Sequence, residues 1–195
     1  MQVTGIVCEF NPLHSGHAYL MAQLRQRGAD AIVCAMSGNF VQRGEMALVN
    51  KLSRGEMAVS CGADLVLELP TAWAMATAEA FARGGVQLLR MAGCTHIGFG
   101  SECGDTETLK AVAAALESES FAAYLRQGLQ KGVSFAAARE AAARKLLGEK
   151  AAVLAQPNDI LGVEYCKAIA RQAAALMPLA LPRRGVGHDG DAAEG

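Results

Sequence analysis

Two histidines, His14 and His17, flank Ser15-Gly16 directly after an apolar run at Val3–Cys8 and an Asn11-Pro12 turn. That order predicts a strand, a tight turn, and a helix that opens at His14-Ser15-Gly16-His17. A helix N-terminus presents unpaired N–H groups and a partial positive charge, and both favour a bound phosphate. Gly16 removes a side chain that would block close approach, and a spacing of three puts both imidazoles on one side of the first turn. There they can donate to phosphate oxygens and to the charge that builds on an α-phosphate in a transition state. A lone histidine is more often a cap or a surface residue. The pair, in this strand-turn-helix setting, makes His14 and His17 the catalytic candidates.

A second block, Met36-Ser37-Gly38-Asn39-Phe40-Val41-Gln42-Arg43-Gly44-Glu45, follows the next apolar run. Its Ser-Gly-Asn content reads as a loop, which would carry Asn39, Gln42 and Arg43 to the same sheet edge. Either they contact an anion, Arg43 with its planar fork, or they form a solvated turn. Lys51 and Arg54, three apart in the next helix, either face a polyphosphate or are solvated surface charges. Glu9 orients a histidine or makes a structural hydrogen bond. Glu102 and Asp105 have the chemistry to hold a metal beside a nucleotide, but carboxylates at a helix start more often act as caps and dipole partners. No metal ligand is assigned to the protein; magnesium would come bound by nucleotide phosphates.

The elements that must position these residues follow from periodicity. Short apolar or β-branched runs at 3–8, 31–36, 65–69 and 95–99 alternate with helical patterns at 18–27, 51–61 and 73–91, which predicts β-α units and a parallel sheet. Ligands then bind outside the carboxyl ends of the strands. From 106 to 150 the pattern becomes Ala-rich helices, at 106–118, 121–131 and 135–147, forming a helical insertion. Pro157-Asn158-Asp159 opens a helix to about 175 with Asn158 or Asp159 as N-cap, and a short strand at 176–181 returns to the sheet. The fold expected is α/β, a Rossmann-like parallel sheet with flanking helices: one domain over 1–184, with a small, acidic tail at 185–195 expected to be flexible.

The chain of 195 residues is 52% apolar and 19% charged, with a formal net charge of −1. Such a balance argues against a uniformly basic nucleic-acid surface, DNA included, and confines any RNA contact to a region. That region would be the stretch holding Arg126, Lys131, Arg139, Arg144, Lys145 and Lys150 against Glu140 and Glu149, unless it is only a solvated helix face. Aromatics, at 5%, supply no stacking platform. No run approaches the ~18 apolar residues of a membrane span, no signal-like N-terminus is present, and the expected location is cytoplasmic. The six cysteines are scattered without a C-x-x-C pair, and most read as small buried hydrophobes.

The H-x-G-H pattern resembles the signature of the nucleotidyltransferase superfamily. In order and spacing, EFNPLHSGH, MSGNFVQRGE, GADLVLELP, GFGSECGD and PNDILGVEY resemble more narrowly the N-terminal half of the bacterial tRNA(Met) cytidine acetate ligases. Two positions depart from the family's habit: Leu13 stands where an aromatic is frequent, and Met46-Ala47 where Pro-Ala is commoner. The resemblance implies a ligase that activates acetate with ATP to acetyl-adenylate and transfers acetyl to N4 of the wobble cytidine of elongator methionine tRNA. Carried over by position, it implies an ATP site in which Val7, Cys8, Glu9, Phe10, Asn11, Pro12, Leu13, His14, Ser15, Gly16, His17, Ala18, Tyr19 and Leu20 surround phosphates and ribose. Gly100, Asn158 and Arg183 would complete it. Read from the residues alone, Gly100 also suits a tight turn, Asn158 a helix cap, and Arg183 a basic residue near a terminus. Two rival readings are a nucleotidyltransferase of cofactor biosynthesis, acting on pantetheine phosphate or nicotinamide mononucleotide, and a non-catalytic ATP- or RNA-binding module.

Overall fold

The computed structural model describes residues 1–172 and 175–183, with the side chain of Arg43 outside the described residues, as is the tail expected at 185–195. Five strands form one parallel sheet: β1 (Val3–Cys8), β2 (Ala31–Ser37), β3 (Leu65–Leu69), β4 (His96–Ser101) and β5 (Met177–Pro182), in the order β3-β2-β1-β4-β5. Strands buried on both faces need continuous apolar runs, and VTGIVC and AIVCAMS supply them. Helices α1 (Ser15–Gln26) and α2 (Lys51–Ser60) cover one face, where Ile6, Cys8, Cys34 and Met36 meet Met21, Leu24 and Ala58. On the other face α4 (Ala78–Met91), α5 (Thr106–Leu116) and α8 (Pro157–Arg171) bury Val7, Val33, Ile97 and Phe99 against Phe81, Val86, Leu109 and Val163. This is the doubly wound, Rossmann-like arrangement.

The chain winds outward from β1 to β3, then crosses to β4 and β5, so the order reverses between β1 and β4. Pairing between these two strands is brief. Thr4 pairs with His96 and Gly5 with Ile97, whereas six residues of β1 pair along β2 and six of β4 along β5. The carboxyl halves of β1 and β4 are not paired with each other, which leaves a crevice where open α/β sheets take their ligands.

Expected boundaries change in places. The helix expected over 73–91 is two, α3 (Thr71–Ala74) and α4, because Thr77 caps α4 by accepting from the Ala80 N–H and breaks the run. Helix α1 opens at Ser15, within the expected His14–His17 opening and ahead of the periodic pattern at 18–27, and Gly100 lies within β4 rather than after it. The helices expected between 106 and 150 are α5, α6 (Glu119–Gln130) and α7 (Phe135–Leu147), followed by 3-10 turns at Gly148–Ala155. No helix among the described residues is long and apolar enough to cross a membrane.

Candidate nucleotide site

At the end of β1, Phe10 adopts φ 48°, the Asn11-Pro12 peptide is cis, and Asn11 Oδ1 accepts from the Leu48 N–H at 2.7 Å. A left-handed φ at a bulky residue is uncommon, and burial of the Phe10 ring holds it there. The turn delivers the chain to α1, whose N-cap is His14. The two histidines cap each other: His14 Nδ1 accepts from the Gly16 N–H at 3.1 Å, and His17 Nδ1 from the His14 N–H at 3.2 Å. This is a capping box built from imidazoles instead of the usual Ser and Glu. The ring centroids are 3.8 Å apart, and the His17 ring meets Phe10 edge-on at 4.9 Å. With both Nδ1 atoms accepting, the neutral rings carry their protons on Nε2.

A Cβ on Gly16 would lie 2.9 Å from His14 Cε1, so the glycine makes room for the His14 ring. The sequence alone suggested that it spares room for a ligand. Burial, then the neighbouring His14, then the positive charge of Arg183, pull the His17 pKa from 6.5 to about 4. His17 is therefore neutral at pH 7 and offers a hydrogen bond rather than a charge.

The rest of the implied ATP run divides by burial. Val7, Cys8 and Phe10 turn their side chains into the two cores, and Leu13 and Leu20 pack partly on the α1 side. Pro12 and Ser15 are exposed at the turn and first helical position, while Glu9, Asn11, Ala18 and Tyr19 are half-buried. To a ligand in the crevice, the core members of this run present backbone.

The second loop is tied to the first. Glu9 Oε1 accepts from the Gln42 N–H at 2.6 Å, and Asn39 Oδ1 from the Lys51 N–H at 3.1 Å. Lys51 Nζ pairs with Glu68 Oε2 at 2.6 Å, at the end of β3. Arg54 is fully buried, not turned to a ligand: Nε donates to Val49 O, Nη1 to Glu9 O and Nη2 to Gly38 O. Both expectations for Arg54, polyphosphate contact and solvated surface charge, are corrected, because its buried guanidinium is spent on the carbonyls of Val49, Glu9 and Gly38.

Across the crevice, Gly100, Asn158 and Arg183 lie together. Arg183 Nη1 donates to Asn158 Oδ1 at 3.2 Å, and the Arg183 stem lies against Gly100, where a Cβ would sit 3.2 Å from Cγ. Neither Asn158 nor Asp159 is the N-cap of α8. Gln156 takes that position without a side-chain bond, because Pro157, having no N–H, occupies the first helical place. The cap comes from 56 residues away: Glu102 accepts the N–H groups of Asn158 at 3.3 Å and Asp159 at 2.9 Å, and Asn158 Nδ2 at 2.6 Å. Buried Asp159 returns the favour, accepting from Ser101 Oγ and from the Cys103 N–H at 3.2 Å. Asp105 caps α5 by accepting from Glu107 N–H. Among the described residues no group of three or more His, Cys, Asp and Glu gathers as a metal site. Sequence reading missed Arg54 as a clamp and Ser101 and Asp159 as a weld; their partners are far away in the chain, so no local spacing signals them.

Comparison with known proteins agrees with this fold. The family model for HIGH nucleotidyl transferases matches residues 1–195. The tRNA(Met) cytidine acetate ligase of Acetivibrio thermocellus is 46% identical over 190 residues, covering 94% of this chain and 46% of that protein. The ligase of Syntrophomonas wolfei is 44% identical over 95% of this chain and 46% of its own length. A crystal structure of Thermotoga maritima TmcAL bound with alpha-thio ATP has a TM-score of 0.90 and 38% identity, over 94% of this chain and 47% of that one. The apo Thermotoga structure has a TM-score of 0.93 and 36% identity over 100% of this chain. The chain thus spans about half the length of the curated relatives it matches.

Proposed function

The chain belongs to the HIGH nucleotidyl transferase family, and from that premise we propose that the crevice between β1 and β4 binds ATP and activates acetate for acetylation of elongator methionine tRNA. The observation that carries this reading is the pair of mutually capped imidazoles at the N-terminus of α1, facing the same sheet edge as Arg183. A relative crystallised with alpha-thio ATP supports the nucleotide, and the relatives' names support acetate and tRNA(Met).

In the reaction proposed, an acetate oxygen attacks the α-phosphorus of ATP in line. The Pα–O bond to the β-phosphate breaks, and acetyl-adenylate and pyrophosphate result. The N-terminus of α1 and the Nε2–H donors of His14 and His17 stabilise charge on the α-phosphate; Arg183 supplies positive charge. Because His17 is neutral, the cationic help comes from Arg183 and the helix rather than from that ring. The N4 amine of the wobble cytidine then attacks the acetyl carbonyl, loses a proton, and AMP leaves. Magnesium would enter on the ATP phosphates.

Replacing both histidines by Ala should abolish most acetate-dependent exchange of labelled pyrophosphate into ATP. Unchanged exchange would remove the mechanism. Exchange that needs pantetheine phosphate or nicotinamide mononucleotide instead of acetate would point to cofactor biosynthesis, and ATP binding without turnover to a non-catalytic module. Mass spectrometry of methionine tRNA incubated with the protein, ATP and labelled acetate tests the transfer step.

A further inference from the structure

We propose that Glu102 is a positioning residue for the nucleotide site: it fixes Asn158 with its carbonyl oxygen turned to Arg183, and thereby aims the Arg183 guanidinium at the crevice. The inference rests on the ATP reading above and assigns a role that neither the resemblance nor the family match provides.

A carboxylate only accepts hydrogen bonds and a guanidinium only donates them. Glu102 therefore takes the NH2 end of the Asn158 amide, at 2.6 Å, and the carbonyl end is left for Arg183 Nη1, at 3.2 Å. The same carboxylate takes the backbone N–H groups of Asn158 and Asp159, so the backbone that carries the amide cannot turn independently of it. Asp159 closes the arrangement from the other side through Ser101 and Cys103. The loop after β4 and the first turn of α8 thus exchange carboxylates, and Arg183, whose own N–H donates to Ser101 O at 3.1 Å, is held between them. Glutamine at 102 would match the shape but bring one acceptor oxygen to three donors, and would present an NH2 group to donors.

The test is a double-mutant cycle on ATP affinity, measured by calorimetry on the full chain, with E102Q, R183A and both together. Loss of a hydrogen bond to a charged group corresponds to about a tenfold or larger rise in ATP Kd for E102Q. In the R183A background the same change should raise Kd by less than about threefold, because the residues act as a unit. E102D, which keeps the charge, should recover part of the affinity, and in pyrophosphate exchange the E102Q defect should fall on kcat as well as on KM for ATP, because Arg183 also supplies charge to the α-phosphate in the proposed reaction. Additive effects, or an E102Q protein with wild-type affinity, would overturn the proposal while leaving the ATP reading intact. Absence of ATP binding by the unmodified protein would overturn both.

Discussion

At the scale of single residues, the imidazole pair combines a structural and a chemical duty, and the two can be separated. His17, neutral with a pKa of about 4 when folded, titrates near 6.5 when unfolded. Between those values the unfolded chain binds a proton that the folded chain refuses, so stability rises with pH across that window. The contribution is complete above about pH 6.5 and is lost as pH falls toward 4. Urea midpoints of the wild type and of His17→Gln, compared at pH 7 and at pH 4.5, should show a steeper acid loss for the wild type; parallel behaviour would refute the shift. Added ATP should raise the His17 pKa, because phosphate favours the imidazolium, and an NMR titration reads this directly. Gly16→Ala separates the duties the other way. Its new methyl would press on the exposed His14 ring, which can move, while alanine gains helix propensity of up to about 1 kcal/mol. Thermal stability should hold or rise slightly while pyrophosphate exchange falls on the order of tenfold or more, as for a misplaced transition-state donor.

At the scale of elements, the loops that carry the site are held by atoms buried beneath them. Arg54 rises from α2 into the gap behind the ends of β1 and β2 and binds the Glu9 and Gly38 carbonyls together. Arg54→Ala would orphan these acceptors and open a void, at a cost of about 3 kcal/mol or more. The loss should show as a lowered denaturation midpoint, with hydrogen exchange accelerating first at residues 9–11 and 38–42. Uniform acceleration throughout the sheet would mean that Arg54 is merely core. Strands β1 to β3 and the N-terminus of α1 were legible because their signals are local: apolar runs, an Asn-Pro turn, and Gly16 between histidines. Arg54 was not, since a cation three residues from Lys51 on an amphipathic helix looks solvated until the neighbouring loops are folded around it. Likewise, Thr77 was read as part of a continuous helix because the Ala-rich stretch on both sides keeps helical spacing. Asn158 and Asp159 looked like caps by residue type; the actual cap, Glu102, belongs to a loop that only the β4-to-α8 crossover brings near.

At the scale of the whole molecule, charge is unevenly placed. Net charge is −1, yet the stretch from Arg126 to Lys150 holds six cations against two acids. Inside it, Arg144 is tied to Glu140 at 2.9 Å and Lys145 sits 3.9 Å over the Tyr124 ring, while Arg126, Lys131 and Lys150 are exposed. The field of Lys150 reaches Asp105 at the head of α5, whose pKa is lowered mainly by hydrogen bonds from Thr108 and Glu107 and further by that lysine. One end of the basic stretch therefore lies beside the loop that also carries Glu102. If RNA lies along this surface, each phosphate contact releases counterions, and affinity should fall steeply with salt. Replacing Arg126 and Lys131 together by Gln should weaken binding of methionine tRNA and reduce the slope of log K against log salt by roughly two. Acetate-dependent pyrophosphate exchange should stay at the wild-type rate, because both residues belong to α6 and its C-cap rather than to the elements that carry the crevice side chains. A salt slope that does not change would mean that this face is solvated and that the RNA is held elsewhere.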